Sequence, residues 1–168
     1  MAQPFNADEI FEIAEQIERN GAKFYRTAAE NTEDANTSGK LRDLAAMEDR
    51  HERIFIGMHE DLRRDNPEWL SQFFNVENQD DPALYLRAMA EGKVFDVGAD
   101  PSARLSGDES LEEVLTIAIG LEKDSIVYYV GVREGVPPAQ GRGKIDDIIR
   151  EEMSHVRTLS DELHNVTS

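Results

Sequence analysis

The feature of this 168-residue sequence most able to do chemistry is a set of six ionisable residues in a duplicated pattern. Two Glu-x-x-His pairs each have a further glutamate at the same distance upstream. The first copy holds Glu18, Glu48 and His51, and the second holds Glu122, Glu152 and His155. One offset of 104 residues relates the copies throughout. Four carboxylates and two imidazoles from four helices are the ligand set of a dinuclear metal site in a helical bundle.

All six residues lie on the apolar seams of predicted helices. The second-helix seam, for example, contains Leu41, Leu44, Glu48, His51, Phe55, Met58 and Leu62. An unpaired buried carboxylate is destabilising, and four close together would repel one another. Two divalent cations would neutralise the cluster. Because Glu at i and His at i+3 lie on one side of a helix, one helix can offer both groups to one metal.

Four long segments with helical periodicity must position these side chains. We predict helices over residues Ala7–Glu30, Lys40–Arg64, Glu109–Glu134 and Gln140–His164, the first with a capping box of Asn6 and Glu9. Short links make the first and second helices, and the third and fourth, antiparallel neighbours. A long crossover joins the two pairs and contains a short helix over Asp81–Glu91. The prediction is an all-α, ferritin-like four-helix bundle, with residues 1–168 forming a single domain.

Composition narrows the range of functions. The net charge of −17 argues against nucleic-acid binding and against binding to anionic membranes. The sequence contains no cysteine, which excludes disulfides, thiolate-bound iron and thiol chemistry in this chain. No apolar run is long enough to span a bilayer, and the first residues lack the features of a secretory signal. A cytoplasmic location is therefore expected.

Small and aromatic residues occupy matching seam positions beyond the outer glutamates. Gly21 and Ser125 lie one turn past Glu18 and Glu122. Their small side chains leave room beside the metals for water, oxygen or peroxide, or allow close helix packing. Tyr25 and Tyr129 lie another turn along the same faces. They are expected to donate hydrogen bonds to the metal ligands, or else to be core aromatics whose hydroxyls bind elsewhere.

Other ionisable residues fit the pattern less well. His59 lies off the second-helix seam, and His164 lies near the C-terminus beside Asp161. We exclude both histidines from the site. Glu15 precedes Glu18 by one turn and is expected to face solvent.

Five segments resemble the ferritin-like superfamily, and most closely its rubrerythrin-type branch. They are IERNGAKFY (17–25), MEDRHERIF (47–55), YLRAMAEGKVF (85–95), IGLEKDSIVYY (119–129) and IIREEMSHVRTL (148–159). The resemblance implies a carboxylate-bridged di-iron site. It implies that Glu18 and Glu122 are terminal ligands, that Glu48 and Glu152 bridge the metals, and that His51 and His155 each bind one metal.

The sequence departs from rubrerythrins in two respects. Rubrerythrins proper end in a rubredoxin domain with four cysteines, whereas this chain has none. The resemblance therefore implies an external electron-donor protein. Rubrerythrins also carry a further glutamate three residues after the third-helix ligand, where this chain has Ser125. Its absence argues against efficient peroxidase activity.

Three functions are compatible with these residues. The leading hypothesis is a di-iron oxidoreductase that consumes peroxide or dioxygen, since oxygen and nitrogen ligands suit iron, or alternatively manganese. The second is a ferroxidase that handles iron, in an assembly or as the cargo of a compartment. The third is a metal-free helical interaction protein with a buried salt network. The first helix carries more apolar surface than one bundle needs, because Ile10, Ile13 and Ile17 lie beside its seam. We therefore predict a homodimer that uses these residues or the crossover segment.

Overall fold

The computed structural model describes residues 7–68, 85–86, 88–89, 99–136 and 138–168. It contains four long helices: α1 (Ala7–Glu30), α2 (Ala35–Asp65), α3 (Leu111–Gly135) and α4 (Arg142–Thr167). Two short 3-10 helices cover Pro101–Arg104 and Pro138–Gln140. No strand occurs within these described ranges, so the predicted all-α bundle is confirmed. Asn6 of the proposed capping box, and most of the predicted crossover helix Asp81–Glu91, lie outside the described residues.

The helices form two antiparallel pairs, α1 with α2 and α3 with α4. Ion pairs between α1 and α2 join Arg19 to Glu52 and Arg26 to Asp49, so residue numbers rise on one helix as they fall on the other. The same reversed order relates α2 to α4, through the pairs Lys40–Glu162 and Arg50–Glu151. These pairs bring the middle sections of α1, α2 and α4 to one level of the bundle.

Side-chain caps set helix ends that the periodicity placed differently. α2 begins before the predicted Lys40, because the Asp34 carboxylate accepts a hydrogen bond from the Thr37 amide at 2.7 Å. α3 begins at Leu111 rather than Glu109, where Ser110 and Glu113 form a reciprocal capping box. These caps supply partners for amides that a helix start leaves unpaired.

Among the residues that the structure describes, two apolar clusters lie on either side of the ionisable residues. One cluster includes Phe11, Phe55 and Ile148, and the other includes Phe24, Leu41, Leu115 and Leu159. The seam residues predicted to be apolar are buried here, which confirms the helical faces inferred from periodicity. In the part of the chain that the structure describes, no helix combines the length and apolar composition needed to cross a lipid bilayer.

The isoleucines offered for a dimer contribute to this core. Ile10 is only 2% exposed, and Ile13 and Ile17 are half-buried against the same cluster. Much of their apolar surface is therefore used within one chain. The homodimer stays a prediction.

One glycine allows the crossover to pass close to α3. A Cβ atom added to Gly131 would lie 2.7 Å from side-chain atoms of both Tyr85 and Leu86. The Tyr85 hydroxyl also donates a hydrogen bond to the Val127 carbonyl at 2.9 Å. The absence of a side chain at Gly131 thus lets Tyr85 and Leu86 of the crossover pack directly against α3.

Candidate metal centre

The six predicted ligand residues meet in the middle of the bundle, and each is at most 4% exposed. Their ligand atoms form two overlapping groups, within each of which all atoms lie within 4.8 Å of one another. The groups are Glu18, Glu48, His51 and Glu152, and Glu48, Glu122, Glu152 and His155. Glu48 and Glu152 belong to both groups. These two glutamates therefore lie between the two halves of the cluster, and the bridging and terminal roles implied by the sequence resemblance stay a prediction.

The two histidines present the same ring atom to the cluster. His51 Nδ1 lies 2.8 Å from Oε1 of Glu152 and 3.7 Å from Oε2 of Glu48. His155 Nδ1 lies 3.0 Å from Oε2 of Glu152 and 3.2 Å from Oε1 of Glu48. Each shared carboxylate thus turns one oxygen toward each histidine. The outer glutamates complete the two halves. Oε2 of Glu18 lies 3.5 Å from Nδ1 of His51, and Oε1 of Glu122 lies 3.5 Å from Nδ1 of His155.

The cluster leaves several of its buried polar atoms without aligned hydrogen bonds. Buried atoms lacking such a bond include Oε2 of Glu18, Oε1 of Glu48, both oxygens of Glu152 and Nδ1 of both histidines. Several of these atoms lie 2.8–3.7 Å from one another, but the contacts do not meet hydrogen-bond geometry. Buried polar groups are normally satisfied, so these atoms require a partner. Carboxylate oxygens and imidazole nitrogens around one space fit divalent iron or manganese.

Without cations this cluster retains protons. Burial, and then repulsion from Glu48, raise the pKa values of Glu18 and Glu122 well above the ordinary range. Burial alone would lower the pKa of His155, but contacts with the surrounding glutamates raise it to about 12. The pKa of His51 is raised for the same reason. Metal ions would have to displace these protons.

Two buried tyrosines donate hydrogen bonds to the outer glutamates. The Tyr25 hydroxyl donates to Oε1 of Glu122, and the Tyr129 hydroxyl donates to Oε1 of Glu18. Burial, and then the neighbouring carboxylate, raise the pKa of each tyrosine well above its ordinary value, which keeps the phenol protonated. Of the two roles expected for these tyrosines, the structure shows the hydrogen bond to a predicted ligand.

A cavity of about 70 Å³ reaches the cluster between α1 and α3. Gly21 and Ser125 line it together with the predicted ligands Glu48 and Glu122. The Ser125 hydroxyl donates to the Leu121 carbonyl at 3.0 Å. The small residues thus leave space beside the carboxylates, which favours the first of the two roles considered for them.

The segment that precedes α3 also lines the cavity. Pro101 and Arg104 come from this segment, and Asp124 comes from α3. An ion pair between Lys23 and Asp100 ties this segment to α1. Charged side chains therefore border part of the cavity beside the carboxylates.

The two histidines excluded from the site lie outside the cluster, but for different reasons. His164 is exposed. His59 is only 3% exposed, contrary to its predicted position off the seam. Its Nε2 lies 2.7 Å from Oδ1 of Asp8, its Nδ1 lies 3.0 Å from Oε1 of Glu15, and its ring stacks on Phe11. These contacts hold α2 against α1. Glu15, which was expected to face solvent, contacts His59 instead.

One residue beside the cluster was not predicted from the sequence. Oε2 of Glu151 lies 2.9 Å from Nε2 of His51, the ring atom that faces away from the shared glutamates. Glu151 is partly exposed and lies off the apolar seam of α4, so its position in the helical repeat is the one expected for a solvent-facing residue. Its position next to Glu152 in the sequence was the available signal.

A four-helix bundle whose core encloses four glutamates and two histidines is characteristic of the ferritin-like carboxylate proteins. The sequence profile of the Rubrerythrin family matches residues 9–95, just over half of the chain, and the protein belongs to that family. A search of curated proteins found no match. Among solved structures, a Thermotoga maritima protein classed as a ferritin-like diiron-carboxylate protein is similar. It is 25% identical, with a TM-score of 0.69 and 98% of each chain covered.

Proposed function

We propose that this protein binds two iron ions at the six clustered residues and uses them to react with peroxide or dioxygen. The observation that carries the proposal is the pair of overlapping ligand groups that share Glu48 and Glu152. Several buried atoms of these groups lack an aligned hydrogen bond, as expected where cations would be bound. Manganese is the other metal that this donor set suits.

Each half of the cluster would hold one ion. Glu18 and His51 would bind the first ion, Glu122 and His155 the second, and Glu48 and Glu152 both. Two ferrous ions supply two electrons to a small oxidant at one place.

The surrounding residues orient the ligands and control access. Tyr25 and Tyr129 fix the outer glutamates through hydrogen bonds. Phe55 and Leu159, both at most 1% exposed, belong to the apolar clusters that limit water around the site. The cavity at Gly21 and Ser125, with a volume of about 70 Å³, has room for several water-sized molecules.

Electrons for repeated turnover would come from a separate protein. None of the 168 residues is a cysteine, so this chain offers no thiolate-bound iron as an electron source. We therefore include an external electron-donor protein as a partner.

The metal-free alternative agrees less well with the site. A buried salt network would be expected to close its hydrogen bonds, because an unsatisfied buried charged group is destabilising. Here both oxygens of Glu152 and Nδ1 of both histidines lack an aligned partner. This pattern favours a cation-binding site.

Anaerobic reconstitution with Fe²⁺ tests the proposal. We expect two iron ions per chain, and a change in the optical spectrum when peroxide or oxygen is added. Glu48→Ala and His155→Ala should reduce both the iron content and the spectral change. The matched control is Glu52→Ala, which lies one turn along α2 and pairs with Arg19 at the surface. Iron absent from the reconstituted protein would refute the proposal, and mineral formation in a large assembly would indicate the ferritin-type alternative.

A further inference from the structure

The two histidines of the cluster differ on the side that faces away from the shared glutamates. Nε2 of His51 lies 2.9 Å from Oε2 of Glu151, and Glu151 also forms an ion pair with Arg50. Nε2 of His155 is equally buried, but it has no hydrogen-bond partner among the residues that the structure describes. One imidazole is therefore supported by a carboxylate and the other is not.

The sequence duplication shows where the two halves have diverged. The 104-residue offset that relates His51 to His155 also relates Met47 to Glu151, and Arg50 to Ser154. Met47 and Glu151 are both half-buried, in keeping with equivalent places in the bundle. Because Glu151 supports His51 across the α2–α4 contact, the equivalent residue for His155 is Met47. A thioether is only a weak hydrogen-bond acceptor.

A carboxylate behind a metal-binding histidine strengthens the metal site. It accepts a hydrogen bond from the ring N–H that does not face the metal, which fixes the tautomer and the ring orientation and makes the other nitrogen a better donor to the metal. Removing such a partner usually lowers metal affinity by about 10- to 100-fold. An imidazole without this support keeps more freedom of rotation and donates more weakly.

We infer that the two metal positions are inequivalent, and that Glu151 is the positioning residue that makes the His51 position the tighter one. The inference rests on the proposed function, in that it takes the cluster to bind two ions. The His51 position fills first and retains its ion, whereas the His155 position fills second and exchanges its ion readily. At limiting metal the protein then holds one ion per chain.

Titration with Mn²⁺ and Co²⁺ tests this order without reference to activity. In the unaltered protein we expect two binding steps whose dissociation constants differ by about 10-fold or more. Glu151→Gln should weaken the tighter step by about 10-fold or more and leave the weaker step in place. The absorption bands of the first Co²⁺ equivalent should change in the same variant, because the ligand strength of His51 changes.

Two further variants separate this effect from general destabilisation. Glu162→Gln removes one carboxylate from another α2–α4 ion pair, with Lys40, and should leave both steps unchanged. Met47→Glu places a carboxylate at the equivalent position behind His155 and should strengthen the weaker step. A folded Met47→Glu protein with an unchanged weaker step would refute the assignment of the asymmetry to this position.

The outcomes distinguish the inference from the proposed function. Two ions bound with equal affinity, or a tighter step that Glu151→Gln leaves unchanged, would overturn the inference while leaving the di-metal site intact. A protein that binds neither Mn²⁺, Co²⁺ nor Fe²⁺ would overturn both.

Discussion

Tyr129 on α3 donates a hydrogen bond to Glu18 on α1, so a residue from the second copy of the duplicated sequence holds a predicted ligand from the first copy. The relationship is reciprocal, because Tyr25 donates to Glu122. The two halves are thus joined at the site itself. Neither half could orient its outer glutamate in this way without the other.

Tyr129→Phe is expected to weaken metal binding without unfolding the protein. The substitution keeps the buried ring but removes the hydrogen bond that orients Glu18. We expect metal affinity to fall by about 10-fold, the lower end of the range for residues that position ligands. Metal titration of the variant, with circular dichroism as a check on folding, measures the effect.

The matched control for this prediction is Tyr128→Phe. Tyr128 is also fully buried, but its hydroxyl donates to the Ile10 carbonyl at 3.1 Å and not to a predicted ligand. Both variants should lose similar stability. Equal metal affinity in the two variants would show that the bond to Glu18 does not position a ligand.

Metal binding is expected to release protons and to strengthen as the pH rises. In the metal-free protein the pKa values of Glu18, Glu122, His51 and His155 are raised, so each group holds its proton to a higher pH than it ordinarily would. A cation competes with those protons, and lowering the pH favours the protons. Calorimetric titration in buffers with different ionisation enthalpies counts the protons released. Binding that is independent of both buffer and pH would contradict this account.

Gly21→Ala is expected to stabilise the fold and slow the reaction with peroxide. A Cβ atom at this position would lie 3.4 Å from Cγ of Glu48, close enough to narrow the cavity without a severe clash. Replacing a mid-helix glycine with alanine removes a cost of about 1 kcal/mol. Thermal unfolding and stopped-flow mixing of the reduced protein with peroxide measure the two effects.

Gly120→Ala is the matched control for the cavity. A Cβ atom at Gly120 on α3 would meet nothing within 4 Å, so this variant should gain stability and keep its reaction rate. If Gly21→Ala reacts as fast as the control, the cavity is not the route to the metals.

His59→Leu is expected to destabilise the bundle while leaving metal content unchanged. The substitution removes two hydrogen bonds between α1 and α2 and leaves Glu15, which is largely buried, without its histidine partner. We expect the free energy of unfolding to fall by about 1–3 kcal/mol. Urea denaturation measures the loss, and metal analysis provides the control. Loss of metal with unchanged stability would place His59 in the site after all.

The seam pattern predicted most of the fold and the six clustered residues. A helix repeats every 3.6 residues, so the three- and four-residue spacing of Leu44, Glu48 and His51 determines that all three point inward. The duplication then placed Glu122 and Glu152 at matching depth. The start of α2 was predicted less well, because it depends on the Asp34 cap and not on periodicity.

The sequence by itself determined which side of each helix is buried and which ionisable groups lie on that side. Only the tertiary structure decided which groups meet across helices: Tyr129 with Glu18, His51 with Glu151, and His59 with Asp8. The physical reason is that periodicity fixes the direction of a side chain relative to its own helix axis. Contacts between helices depend also on how those axes are rotated and shifted against one another, which packing of the whole core decides.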